Sequence, residues 1–401
     1  RTLISIAEAR ARVAASIVPL PAEEIDVARA LDRVLAEDVS AAGDVPAFAN
    51  SAMDGFAIQA GAGNRRLRIV GESRAGLPAP VALADGEAIR ISTGAALPGG
   101  ADGVLELEEA EEAEGWITTQ VDTAPGRNVR HPGDDLRAGE TVLTTGTRLG
   151  PAELGVAIGA ARSRVRCARS PRLAVVATGD ELVPAGEPLG PGQIHDSNAV
   201  TLAALARRAG AQEAPGPASR EVADTPKATE EALASALAGA DVVVVSGGVS
   251  VGPHDHVKDA LGALGVKEAF WGVALKPGRP TWFGTRDGKL VFGLPGNPVS
   301  AMVTFLLFVR PALAGLQGAS FDEGRYEARL TTAVARNPRR DQAIRVRVDV
   351  KDAGVLATPT GPQASHVLSS MLDASGLAIV EAGDGEMASG ECVVVEPISR
   401  P

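Results

Sequence analysis

Residues 240–252 read Ala-Asp-Val-Val-Val-Val-Ser-Gly-Gly-Val-Ser-Val-Gly, and this stretch decides the fold class. Asp241 opens a run of β-branched residues, the pattern of a strand buried on both faces of a parallel sheet. The run stops at Ser246-Gly247-Gly248, where missing side chains let backbone amides face outward. In open α/β sheets, ligands settle in the crevice beyond the carboxyl ends of the strands. Exposed amides leading into a helix also suit an anion, most often a phosphate. An ordinary strand-to-helix turn carries the same local signature, so the neighbouring loops have to discriminate.

Outward from this strand the chain alternates. Strands are expected at 172–178 and 241–246, helices at 196–209, 228–237, 256–264 and 298–316, and a hairpin at 281–294. Such alternation predicts a parallel sheet covered by helices on both faces. Upstream, Ile6, Ala9, Val13 and Ile17 recur at helical spacing until Pro19 and Pro21, and a further helix is expected near 28–35. From residue 44 to about 139, short β runs alternate with Gly- and Pro-containing turns, the texture of a small β domain. Residues 141–161 return to strand-then-helix character and are expected to pack back on the first helices, which makes the β domain an insertion. After Gly318 the pattern is β once more. The fold class is therefore multidomain α/β plus β, in four units: 1–45 with 140–168, helical and mixed; 46–139, inserted β; 169–317, α/β; and 318–401, C-terminal β.

The 401 residues exceed one ordinary core, and a composition of 45% hydrophobic and 22% charged residues is that of a water-soluble chain. A formal net charge of −11 with only 3% aromatics argues against binding nucleic acid or a membrane surface, while leaving room for local basic sites. Cys167 and Cys392 are the only cysteines, too few for a disulfide framework or a zinc site, so a reducing cytoplasm is the expected location. The apolar run at 301–309 falls short of the ~20 residues of a membrane span.

Several other loops carry chemistry. Thr178-Gly179-Asp180-Glu181-Leu182 sets two carboxylates where a hard cation such as Mg²⁺ could be held, or where Asp180 merely caps a helix. His254, Asp255, His256 and Lys258 follow the Ser-Gly-Gly turn, and Asp255 there fits a nucleotide or Mg²⁺ contact better than a histidine metal site. Lys276-Pro277-Gly278-Arg279-Pro280 places two cations on a stiff turn, suited to an oxyanion or to solvent. Gly293-Leu294-Pro295-Gly296-Asn297-Pro298 fixes an irregular backbone at a helix entrance. The Glu-rich stretch 106–114 reads as a solvated strand edge rather than a cation site. No Ser-His-Asp or Cys-His nucleophile arrangement is evident, so positioning and metal activation fit better than a covalent intermediate.

Taken together, the strings SAMDGFA (51–57), STGAALPGGAD (92–102), NVRHPGDD (128–135), TGDEL (178–182), SGGVSVG (246–252), KPGRP (276–280), GLPGNPVSA (293–301) and GPQASHVLSS (361–370) resemble the MoeA family. These are the molybdopterin molybdenumtransferases, whose eukaryotic counterpart is the gephyrin E domain. The resemblance implies a molybdopterin-binding-like central domain and an elongated homodimer with its site in a cleft between subunits. It implies insertion of molybdate into adenylylated molybdopterin, with Mg²⁺ as cofactor and AMP released. Molybdopterin adenylyltransferase and molybdoenzyme maturation factors are the implied protein partners.

Carried over by motif position, Asp54, Glu181, Asp255 and Lys276 would be catalytic, with Glu181 and Asp255 on the metal. Substrate would be bound by Thr93, Arg130, Asp135, Asp224, Ser246, Gly247, Gly248, Arg279, Pro295, Asn297, Arg345 and Ser365. One departure stands out: Gly272 occupies a position where relatives often carry a cation. Two competing readings are a molybdopterin adenylyltransferase, whose turn would read Ser-Gly-Gly-Thr-Gly and which needs no flanking β domains, and a non-enzymatic scaffold, for which a fused adenylyltransferase domain would be expected.

Overall fold

The computed structural model describes residues 2–215, 221–222, 225–249, 256–321, 324–351 and 354–398. Its central sheet runs in the order Gln212–Glu213, Arg172–Thr178, Val242–Ser246, Lys289–Leu294, Trp282–Arg286, Lys267–Trp271, with Glu221–Val222 pairing at the far end of Arg172–Thr178. The middle strands are parallel, in a register that aligns Ala177, Ser246 and Leu294. The hairpin expected at 281–294 and the edge strand Lys267–Trp271 pair antiparallel, so the sheet is mixed. Val242 to Val245 are all fully buried. Val242 and Val244 enter the core beneath helices Ser197–Arg208 and Pro298–Thr304, whereas Val243 and Val245 enter the opposite core beneath Pro226–Gly239 and Val257–Ala263. This is the two-sided burial that a continuous valine run requires.

Local chemistry sets the helix starts. Asp196 accepts from the Ala199 amide at 3.0 Å, and Thr225 accepts from Ala228 with Pro226 in the first turn. The longest helix runs Pro298–Thr304, a π-helical turn Phe305–Val309, then Arg310–Leu316. Pro311 has no N–H to offer the carbonyl four residues earlier, and that carbonyl, Leu307 O, instead accepts from Arg10 Nη1 at 2.6 Å. An 18-residue window of this 19-residue stretch has a mean hydropathy of 1.8, but 83% of that window is buried inside the fold, as in a core helix.

The flanking regions divide differently from the expectation within residues 1–45. Ile6, Ala9 and Val13 of helix Ile6–Ala14 join the core of the α/β domain. Val27, Leu35 and Val39 instead share a core with Leu149, Ala157 and Cys167, closed by the antiparallel pair Ala22–Asp26 and Arg164–Ala168. The helix expected at 28–35 is only a 3₁₀ turn, Val27–Arg29, since the chain turns at Asp32 (φ +62°) and then bridges Val34 to Arg148 and Leu35 to Cys167. The inserted domain is a six-stranded sheet around Phe56, Ile58, Leu105 and Ile117. Its Glu-rich stretch forms the edge strand Ala110–Ala113, with Glu106 and Glu109 paired to Arg127 and Glu112 paired to Arg90.

In the C-terminal domain, strand Asp341–Lys351 pairs with both Gly354–Pro359 and Gly376–Val380, which closes the sheet into a barrel. Leu275–Lys276 adds to it in parallel, so the α/β and C-terminal domains share a sheet at their seam. A second tie is ionic. Glu396, 2% exposed, is met by Arg310 Nη2 at 2.6 Å, Arg325 Nε at 3.2 Å and Arg10 Nη1 at 3.8 Å.

Candidate functional site

The sheet registers bring Thr178, Ser246 and Pro295 to neighbouring positions at the carboxyl ends of three parallel strands. Ser246 is 3% exposed. Gly247 and Gly248 follow with φ of +90° and +63°, conformations that disfavour any side chain. Space also excludes one: a Cβ at Gly247 would lie 2.8 Å from Thr178 O, and one at Gly248 would lie 2.5 Å from Val257 Cγ2. The turn is thus a bare-backbone surface held against the strand next door. Thr178 Oγ1 is buried beside it and has no hydrogen-bond partner among the described residues.

Glu181 sits on the adjacent turn, exposed, with its carboxylate folded over Gly179 so closely that a Cβ there would be 2.4 Å from Oε2. Pro295 is buried and Asn297 exposed at the entrance of the helix that begins at Pro298. Asn297 Nδ2 donates to Ser365 Oγ at 3.3 Å, and the Val299 amide donates to Ser365 O at 3.2 Å. The Ser365 loop of the C-terminal domain is thereby docked on the helix entrance of the α/β domain.

Lys276 and Arg279 lie exposed on the turn at the shared sheet seam. Gly272, the departure noted in the sequence, has a physical reason. Its φ is +87°, its carbonyl accepts from the Ile4 amide, and a Cβ there would be 2.7 Å from Leu3 Cδ2. The amino-terminal segment occupies the place where a cationic side chain would project.

Arg345, expected as a substrate contact, lies inside the C-terminal domain. It is 0% exposed, and Nη2 donates to Pro362 O at 2.8 Å and to Ala364 O at 3.3 Å. Its own amide donates to Gln363 Oε1 at 2.9 Å. Burial pushes its pKa down from the ordinary arginine value. Arg345 therefore shapes the loop that carries Ser365 from within.

A second group gathers on the inserted domain. The Thr93 amide donates to Asp54 Oδ1 at 2.7 Å, and Ser51 exchanges backbone hydrogen bonds with the Gly94–Ala95 turn. Val129–Arg130 pairs with Asn50–Ser51, and the Ala52 amide donates to Asn128 O. The Asp135 amide donates to Val45 O. The three polar loops therefore form one exposed face bearing Asp54, Thr93, Arg130 and Asp135. Among the described residues no hydrogen bond or ion pair links this face to the α/β group in one protomer. Asp224 and Asp255 lie outside the described residues.

Three polar groups escaped sequence reasoning. Asp241 works at the opposite end of its strand, taking a bidentate contact from Arg169 at 2.9 Å and the Arg172 amide at 2.7 Å. Burial raises its pKa, but these hydrogen bonds outweigh it and leave the pKa lowered. The second is Glu396 with its arginines. The third is Asn198, which bridges Ser246 and Gly296. Only the helix expected at 196–209 pointed toward that corner.

Comparisons with known proteins agree along the whole chain. Residues 4–161 match the MoeA N-terminal region (domain I and II), 174–315 a probable molybdopterin binding domain, and 327–398 the MoeA C-terminal region (domain IV). The chain is 33% identical to a molybdopterin molybdenumtransferase of Haemophilus influenzae, covering 99% of both. It is 34% identical to molybdopterin molybdenumtransferase 2 of Mycobacterium tuberculosis, over 91% of this chain and 92% of the relative. Among solved structures, a molybdopterin biosynthesis MoeA protein of Pyrococcus horikoshii superposes with a TM-score of 0.81 at 31% identity, covering 99% of this chain and 100% of that one.

Proposed function

This chain belongs to the molybdopterin molybdenumtransferase (MoeA) family, transferases of molybdenum cofactor biosynthesis, and from that premise we propose that it inserts molybdate into adenylylated molybdopterin with release of AMP. The observation that carries the reading is the side-chain-free turn Ser246-Gly247-Gly248, packed against Thr178 and flanked by Glu181 and the Asn297–Ser365 junction. Its backbone amides would take phosphate oxygens. Lys276 and Arg279 would neutralise the oxyanion from the seam. The Thr178 hydroxyl, without a partner among the described residues, would be a further donor at the same place.

Mg²⁺ fits the donors at hand. Among the described residues no three His, Cys, Asp or Glu side chains gather, and Mg²⁺ ordinarily uses one or two carboxylates with phosphate oxygens and water. Glu181 would hold it, and the ion would supply polarisation of the phosphoanhydride. In a homodimer, the face bearing Asp54, Thr93, Arg130 and Asp135 would close over the α/β group of the second copy. That arrangement unites the two motif groups, which sit on separate domains of one protomer. A cytoplasmic location accords with two cysteines that are both free.

The adenylyltransferase alternative is disfavoured by the N- and C-terminal family regions that flank the α/β domain. The test is AMP release by purified protein given adenylylated molybdopterin and Mg²⁺, with and without molybdate. Molybdate-dependent AMP is expected. Tight binding with no AMP under either condition would overturn the reaction while sparing the binding site.

A further inference from the structure

Asn198 lies in the first turn of helix Ser197–Arg208, beside the carboxyl end of strand Val242–Ser246. Its Nδ2 donates to Gly296 O at 2.7 Å and to Ser246 Oγ at 2.9 Å. A backbone carbonyl only accepts, so the nitrogen of the Asn198 amide, not its oxygen, has to face Gly296. The same nitrogen carries a second hydrogen, and Ser246 receives it. The Ser246 oxygen is thereby an acceptor on its inner side, and among the described residues nothing accepts the hydroxyl's own proton.

We propose that Asn198 is a positioning residue that fixes the Ser246 hydroxyl as a donor toward the oxyanion of the bound ligand. Two features support this. Ser246 is 3% exposed at the head of the Gly247-Gly248 turn, so a donor aimed there competes little with water. The second Asn198 bond ties the turn after strand Val242–Ser246 to the turn before helix Pro298–Thr304, so amides and hydroxyl share one frame. An aspartate at 198 would reverse the arrangement. Its carboxylate would accept the Ser246 proton, withdraw the donor, and oppose a phosphate.

The inference rests on the anion reading of Ser246-Gly247-Gly248. Its test is isothermal titration of the full-length protein with adenylylated molybdopterin, alongside steady-state kinetics. Asn198→Ala and Ser246→Ala are each expected to weaken binding about tenfold, the loss of one hydrogen bond to a charged group. Asn198→Asp, the same size, is expected to weaken it further. The double variant Asn198→Ala with Ser246→Ala should fall within about twofold of either single one, because Asn198 acts through the hydroxyl. KM should carry the loss, with kcat within about threefold.

Additive losses in the double variant, or affinity in Asn198→Ala within twofold of the parent, would overturn the proposal. If Asn198→Ala does not fold, Asn198→Ser, too short to reach Ser246, is read by the same criteria. Failure of the parent protein itself to bind adenylylated molybdopterin would instead remove the anion reading, and the inference with it.

Discussion

The backbone amide of Thr93 donates to Asp54 Oδ1 over 2.7 Å, joining two polar loops 39 residues apart on the inserted domain. The carboxylate thus has a structural task as well as a charge, and two substitutions separate them. Asp54→Asn keeps an oxygen acceptor for the Thr93 amide and loses only the charge. It is expected to retain the thermal midpoint within about 1 °C while molybdate-dependent AMP release falls at least tenfold. Asp54→Ala loses both, and a hydrogen bond of about 1 kcal/mol corresponds to a further drop of roughly 2–4 °C. Calorimetry beside the AMP assay distinguishes them.

Glu181 offers an exposed carboxylate on the turn above the strand ends. Glu181→Gln preserves its shape over Gly179 and removes the charge. Turnover at limiting Mg²⁺ should fall at least tenfold and recover partly as Mg²⁺ is raised, with circular dichroism unchanged. Unaltered turnover at every Mg²⁺ concentration would assign the metal to another carboxylate.

Arg345 is buried and holds the 361–366 loop by its guanidinium. An apolar side chain here would leave the Pro362 and Ala364 carbonyls without this donor, a loss of about 1–3 kcal/mol. Arg345→Met is therefore expected to lower global stability by about 1–3 kcal/mol while amide exchange quickens at 361–366 and activity declines. Hydrogen-exchange mass spectrometry reads the loop directly. Protection equal to the parent's would show that the barrel alone orders it.

Asp241 gives a pH prediction whose sign is fixed. Its pKa is lowered in the folded chain, so its contribution is present above the ordinary value of 3.8 and is lost as pH falls through the folded value. Asp241→Asn should cost about 1–3 kcal/mol at neutral pH, the range for hydrogen bonds to a charged group. The difference from the parent should narrow on acidification below pH 4. Urea midpoints of both proteins across pH 3–7 test this.

How much of this was legible in the sequence depended on the range of the interaction. The valine run 242–245 dictated a two-sided strand because its alternation-free burial is a local property. The helix 298–316 followed from the same logic, down to its proline entrance. The 28–35 segment misled because its apolar residues have helical spacing, yet their partners Arg148 and Cys167 lie more than a hundred residues away. The antiparallel edge of the sheet was present in the 281–294 hairpin pattern, although alternation alone favoured an all-parallel sheet. At the site, glycine-marked turns were readable because the backbone itself is unusual there. Arg345 was not, since no sequence pattern tells an inward guanidinium from an outward one. Asn198 and Glu396 depend on contacts set entirely by tertiary packing.

The Glu396 junction has a consequence for how the protomer is held together. Arg10, Arg310 and Arg325 belong to three separate stretches of chain, and the carboxylate that reconciles them arrives only with strand Cys392–Pro397. A single side chain therefore fastens three stretches of backbone to one another. The first helix, the last core helix and the barrel are clasped at one point, so a shift of any one of them is felt by the other two.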